Sequence, residues 1–315
     1  MRTQTTPQSA TPAAHAVSEL PAEFDHAIYV SHPDNADLHG LDPTEAWHHY
    51  DAYGRHEGRP CSAVDTSAAF MALLPSEGML LEIGPGSRPC LKPGAYSVRM
   101  LDVFPTDELR RRAERENGDP AGVPDIDLVW QGEPYRELTR ERFDAVIASH
   151  SLERQPCLIT HLTDVASVLR IGGRFFVILT DRRVSAAHYM SDSTLTDALA
   201  AFVSRRTRHS AYSFMADRLM RTHNESGAHW GGRHGADPRG RLPDALLRDE
   251  VASAMRAVRT ASGYVDVPAW YFTPDSFRHL IDTLASIGLS PFRVERVYRT
   301  VRPRIEFYAV LRVAA

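Results

Sequence analysis

The chain is predicted to fold as an α/β protein on a doubly wound, largely parallel sheet of about seven strands. Three observations predict it. A short apolar run, Met79-Leu80-Leu81, meets Glu82 and then a tight turn carrying Gly84 and Gly86. Further strand-like runs at 97–102, 126–131, 143–150 and 172–179 end at Asp102, Gln131, His150 and Leu179, with helical stretches between. Near the end, runs at 292–298 and 305–313 follow one another with no helix between them, which reads as an antiparallel edge pair.

The elements follow in order along 315 residues. Residues 1–23 are rich in Thr, Ala, Pro, Gln and Ser, have little to bury, and are expected to be a disordered tail. Residues 24–62 form a small helical module: Pro43 stands at a helix start, Trp47 and Tyr50 share a face, and Gly54 is read as the stop. Residues 63–182 hold the ligand-binding core, including a helix over 159–169 with Leu162, Val165, Ala166 and Leu169 on one face. Residues 183–265 are too long for a connection and read as a helical insertion after strand five, expected to be an acceptor-binding insertion or lid, with pieces near 193–204 and 243–260 around a loop rich in Gly, His and Arg. Residues 266–315 complete the core. Thr273-Pro274-Asp275-Ser276 caps a helix with Phe277, Leu280, Ile281 and Leu284 as its apolar stripe, and the strand pair follows.

Composition removes several function classes. The net charge is −4, so no basic field points to nucleic acid. Of the 36 basic residues only Lys92 is a lysine, a bias across the whole chain rather than a demand of one site. Cys61, Cys90 and Cys157 form no disulfide framework and no zinc pair, and no long apolar span or cleavable leader is visible. The expectation is a cytoplasmic protein without membrane insertion; self-association into a homo-oligomer stays open.

The Gly84/Gly86 turn lets backbone N–H groups approach a ligand closely, although the full dinucleotide fingerprint lacks its third glycine. Asp102, at the end of the second strand, suits a ribose, since a carboxylate accepts from two hydroxyls. Taken together, Glu-Ile-Gly-Pro-Gly at 82–86, Asp102, Phe143-Asp-Ala-Val-Ile-Ala-Ser-His-Ser-Leu-Glu153 and Val168-Leu-Arg-Ile-Gly-Gly-Arg-Phe-Phe176 resemble the class I S-adenosylmethionine-dependent methyltransferases. The likeness covers roughly 65–182, with 266–313 as the expected tail. It implies a Rossmann-like sheet closed by an antiparallel pair and S-adenosyl-L-methionine as cofactor. The Glu82–Gly86 turn would hold the methionine part, Asp102 the ribose and the region of Gln131 the adenine, with Ser149 also at the cofactor. The module at 24–62 resembles small helical modules beside glycosyltransferases and other polysaccharide-modifying proteins; a plain packing arm reads as well.

Methyl transfer needs an acceptor atom held in line with the methyl group and, for a hydroxyl, a base near neutrality. Candidate catalytic residues are His150 after strand four, Asp181 after strand five, and His229 and His234 in the insertion loop. Asp181 reads equally as base, metal ligand or ion-pair partner. Trp230, Arg182 and Arg233 are candidate acceptor contacts. An ion held by His229, His234 and Asp237 is conceivable, but the spacing matches no standard zinc pattern and no metal is assigned.

These residues lead to an expected O-methylation of a sugar, nucleotide sugar or glycosylated metabolite. A small-molecule metabolite acceptor and a non-catalytic cofactor-binding scaffold in polysaccharide assembly are the alternatives. Nicotinamide-dependent oxidoreduction is disfavoured by the incomplete glycine fingerprint and the two-strand ending.

Overall fold

Strand five is apolar enough in its second half to be covered on both faces, and the closing pair beside it forms one edge of a seven-stranded sheet. The computed structural model describes residues 20–92, 97–238, 240, 244–260 and 266–313. Its strands are β1 Met79–Ile83, β2 Ser97–Asp102, β3 Leu128–Val129, β4 Phe143–Ser149, β5 Leu169–Thr180, β6 Phe292–Tyr298 and β7 Glu306–Val313, in the order β3-β2-β1-β4-β5-β7-β6. β1 to β5 run parallel, and β7 lies antiparallel between β5 and β6. This is the Rossmann-like sheet with an antiparallel edge pair that the sequence predicts.

Alternate residues of each strand feed two cores, as a pleated strand requires. Leu81, Ile83, Val146, Ala148, Phe175 and Val177 face one layer, together with the helices Leu158–Val168 and Pro274–Ser286. Leu80, Ala145, Ile147, Phe176 and Ile178 face the other, with Phe70 stacked on Tyr308 at 5.1 Å. The helix Pro274–Ser286 starts as its sequence indicates: Thr273 accepts from Ser276 N at 3.2 Å.

Several expectations are corrected at their edges. The third strand, expected over 126–131, keeps only Leu128–Val129. The fifth begins at Leu169 rather than Gly172, with a register shift where β4 pairs it. The insertion carries Leu195–Val203 and Asp244–Thr260 as expected, and also Ala211–Leu219 and Ser226–Trp230, whose short polar sequences carry a weak helical pattern. Of the tail expected over 1–23, residues 1–19 lie outside the described residues. Glu23 is held, accepting from Val297 N at 3.1 Å and from the Arg278 guanidinium.

The module at 24–62 has its own small core of Phe24, Tyr29, Leu38, Ala46, Tyr50 and Cys61. Gly54 does not end its helix. Helical structure continues from Pro43–His49 through Tyr50–Gly54 and Arg55–Glu57, and stops at Gly58, which is left-handed at φ 72°. Gly54 is needed for a close approach instead: a Cβ there would lie 2.3 Å from the Tyr29 hydroxyl oxygen. That hydroxyl is pinned by His49 Nδ1 at 2.8 Å, so it has little room to yield. Gly54→Ala is therefore expected to cost about 1–3 kcal/mol of stability through overpacking. Urea unfolding checks this, and an unchanged midpoint would show that the contact relaxes.

Candidate functional site

Register places three strand ends side by side. Ile83 aligns with Leu101 on β2 and with Ala148 on β4, so Gly84, Asp102 and Ser149 emerge at one level. This is where the connections diverge to opposite sides of a doubly wound sheet, and where such sheets bind ligands. A cavity of about 280 Å³ opens here, lined by Gly84, Gly86, Asp102, Phe104, Trp130, Tyr135, Ser149 and His150 among others.

Both turn glycines are left-handed, Gly84 at φ 70° and Gly86 at φ 53°. A Cβ at Gly84 would sit 2.7 Å from that of Ser151, whereas at Gly86 it would meet nothing within 4 Å. Gly84 thus serves packing, and Gly86 leaves bare backbone facing the cavity. Asp102 ties the turn to its strand: Gly86 N donates to Oδ2 at 3.2 Å and Phe104 N to Oδ1 at 3.1 Å. Burial raises its pKa, against those backbone donors. Each oxygen keeps acceptor capacity for a ligand hydroxyl.

Two expected cofactor contacts lie elsewhere. Glu82 is buried behind the turn, where its oxygens accept from Cys90 N at 2.7 Å and Leu91 N at 2.8 Å. It shapes the loop from within, and burial pushes its pKa up to about 6. Gln131 is exposed and outside the lining; its backbone N–H donates to Glu133 at 2.9 Å. The wall that sequence reasoning assigned to Gln131 is made by Trp130 and Tyr135, whose rings meet edge to face at 6.2 Å. The aromatic residue just before Gln131 was the available signal.

A second cavity, also about 280 Å³, is lined by Glu153, Thr180, Arg182, Asp217, Arg221, Asn224 and Tyr271 among others. The two cavities share His150 and Arg154. His150 is itself left-handed, at φ 52°. Its Nδ1 donates to Thr180 Oγ1 at 3.1 Å and its Nε2 to Glu306 at 2.9 Å. Burial alone would lower its pKa; Glu153 and Glu306 outweigh this and raise it to about 10. His150 is therefore an imidazolium at neutral pH and cannot serve as the expected base.

Asp181 is also reassigned. It is fully buried and accepts from Arg183 through a two-pronged bond at 3.0 and 2.6 Å, and from Thr300 at 2.8 Å. It is the ion-pair partner among its three readings and lines neither cavity. Arg182 does line the second cavity, braced by Asp192 at 2.6 Å.

His229, Trp230, Arg233 and His234 lie outside both linings. Trp230 donates from Nε1 to Arg304 O at 2.9 Å and rests on Gly58, where a Cβ would come 2.5 Å from the ring. Arg233 is exposed. His229 and His234 approach one another at 3.0 Å through their Nδ1 atoms, with His188 stacked on His234 at 3.6 Å. Burial lowers the pKa of both His229 and His234. Among the described residues no helix is long and apolar enough to cross a membrane.

No family model and no curated protein matches the chain. Among solved structures, the CcbJ methyltransferase from Streptomyces caelestis is 15% identical over 85% of this chain and 96% of its own, with a TM-score of 0.42. A SAM-dependent methyltransferase from Methanosarcina mazei is 14% identical over 80% and 100%, at 0.38. A Rhodobacter sphaeroides protein named as a Zn-dependent alcohol dehydrogenase is 14% identical over 82% and 92%, at 0.40. Identities and scores this low decide nothing about chemistry. The seven-stranded sheet and its antiparallel closing pair are those that the resemblance to class I methyltransferases implied.

The His150–Glu306 pair has a pH signature. A folded pKa of about 10 against an ordinary 6.5 means its stabilisation is full below pH 6.5 and is lost as pH rises through about 10. Glu306 is held below its ordinary 4.5 by the His150 hydrogen bond, so its share is lost as pH falls through that lowered value. Denaturant unfolding of wild type and His150→Gln should show a gap that narrows between pH 6.5 and 10. A gap that stays constant across that interval would place the imidazole's pKa near its ordinary value.

Proposed function

We propose that the chain is an S-adenosylmethionine-dependent methyltransferase, with the cofactor in the first cavity and a hydroxylated acceptor in the second. The observation that carries this reading is the junction: two cavities of similar size meet at His150 and Arg154, one ending in a bare glycine turn and a buried carboxylate. The residues fit the cofactor. Gly86 offers close backbone approach, Asp102 accepts from ribose hydroxyls, and Trp130, Tyr135 and Phe104 wall a flat ring. When bound, the cofactor supplies an electrophilic methyl group on a sulfonium.

The chain's own residues do the rest. The second cavity holds Arg154, Arg182 and Arg221, paired with Asp266, Asp192 and Asp217 at 2.8, 2.6 and 3.2 Å. Each guanidinium has further donors, but its charge is already balanced. That favours a hydroxyl-rich acceptor, a sugar or glycosylated metabolite, over one recognised mainly through a diphosphate; a nucleotide sugar fits if its sugar end enters. Tyr271 adds an aromatic wall. His150, cationic and anchored at both nitrogens, fixes the junction.

The proton of an acceptor hydroxyl falls to Glu153. This carboxylate is 6% exposed and lines the second cavity; Oε1 accepts from Thr180 N at 2.8 Å, while Oε2 has no hydrogen-bond partner. A buried acceptor without a donor is costly unless a ligand satisfies it.

Two measurements separate the parts of this reading. Calorimetry should show S-adenosylhomocysteine binding weakened by about 1–3 kcal/mol in Asp102→Ala, the order of a lost hydrogen bond to a charged group; unchanged binding puts the cofactor elsewhere. With an acceptor found by a mass-spectrometric screen of nucleotide sugars and glycosides, Glu153→Gln should lower kcat by roughly 10²-fold or more while cofactor affinity holds. A Glu153→Gln enzyme with normal kcat would remove Glu153 as base.

A further inference from the structure

We propose that His188, His229 and His234 form a binding site for one divalent transition-metal ion, zinc by the chemistry of its ligands, which clamps the insertion against the end of β5. The proposal does not depend on the methyl-transfer reading. One potential ligand nitrogen from each ring lies within 4.8 Å of the other two. His188 sits in the turn that follows β5; His229 belongs to the helix Ser226–Trp230 and His234 to the loop after it.

Protonation is fixed from outside. A carbonyl oxygen only accepts, so a ring nitrogen facing one carries the proton. Arg183 O faces His188 Nδ1 at 2.6 Å, and His223 O faces His229 Nε2 at 3.0 Å. The nitrogen left facing away from each carbonyl, His188 Nε2 and His229 Nδ1, is the one that presents a lone pair when the ring carries a single proton. His234 Nδ1 can supply one proton, across its 3.0 Å contact to His229 Nδ1. The three rings each bring a nitrogen within 4.8 Å of the others yet share a single His–His hydrogen bond, so as a hydrogen-bonded cluster they leave lone pairs unused. The same arrangement is the usual setting of metal-bound imidazoles, whose outer N–H donates to a backbone carbonyl.

The neighbouring His223 shows the contrast. Its Nε2 donates to Arg233 O at 3.0 Å and its Nδ1 accepts from Glu225 N at 3.2 Å, so both nitrogens are used. It stacks on His229 at 4.3 Å as packing, not as a ligand. Three imidazoles without a carboxylate suit zinc, cobalt, nickel or copper rather than magnesium or calcium. Water completes a tetrahedron in such three-histidine sites. Binding replaces the His234–His229 hydrogen bond by two bonds to the ion; the His234 proton moves to Nε2, so no net proton is released. The rings of His188 and His234 lie parallel within 7°, and must splay for their lone pairs to converge.

The ion would join two segments that wall the second cavity. Ala186 and Ala187 precede His188, and Asn224 follows His223; Ala186 N donates to Asn224 Oδ1 at 3.0 Å. The sequence alone assigns no metal, and the local trio it allowed, His229, His234 and Asp237, lacks His188, which lies 41 residues before His229, a distance no local motif reveals.

Cobalt(II) titration of the whole chain, stripped by chelator, tests the site. The expected result is a tetrahedral visible absorption saturating at one equivalent and displaced by zinc. His188→Ala should weaken binding by roughly 100-fold or more, and His223→Ala should leave it close to wild type. A wild-type titration with no saturable band, which needs no variant to interpret, overturns the proposal. So does equal loss in His188→Ala and His223→Ala when both retain the wild-type circular dichroism.

Discussion

The His150 imidazolium is the constraint around which the two cavities are arranged. It bridges β4, which it terminates, to Glu306 at the start of β7 and to Thr180 at the end of β5. Those three strand ends come from distant parts of the chain, and the ring ties all three at the end of their ladders in a partly dehydrated setting. Its backbone adopts the left-handed region, which a non-glycine residue tolerates only when its surroundings hold it there. The Ile178 carbonyl does so, accepting from His150 N at 2.9 Å. Arg154 adds a further tie, donating from Nε to the His150 carbonyl at 3.2 Å. The partition between the cavities is thus charged and hydrogen-bonded.

How much of this was legible in the sequence depends on the range of the interaction. Strand runs such as Phe143–Ser149 and the capped helix at Pro274 announce themselves because apolar period and capping are local. Gly84, Gly86 and Asp102 were legible for the same reason: turn and strand end are set by a few neighbours. The charge state of His150 was not, because Glu306 lies 156 positions away. Asp181 failed in the same way. Its neighbour Arg183 was visible, but burial beneath Thr300 was not, and burial turned a candidate base into a brace.

Glu82 illustrates a subtler limit. The sequence places it correctly at the lip of the glycine turn, but not the direction of its side chain. In a strand, successive side chains alternate between faces. Glu82 points back under the loop, where two backbone N–H groups of Cys90 and Leu91 compensate its burial. The residue matters to the cavity by holding the loop that frames it.

The meeting of Trp230 with Gly58 joins three parts of the chain that the sequence presents as separate: the N-terminal module, the insertion and the approach to β7. The indole rests on the glycine that ends the module's helix, and Gly58 O accepts from Arg302 N at 2.9 Å. These regions therefore cannot diverge independently. A bulkier side chain at position 58 would displace the indole, and a different insertion would leave the glycine facing a gap. The exchangeable unit, in recombination or in the construction of chimaeras, is the insertion together with its N-terminal seat.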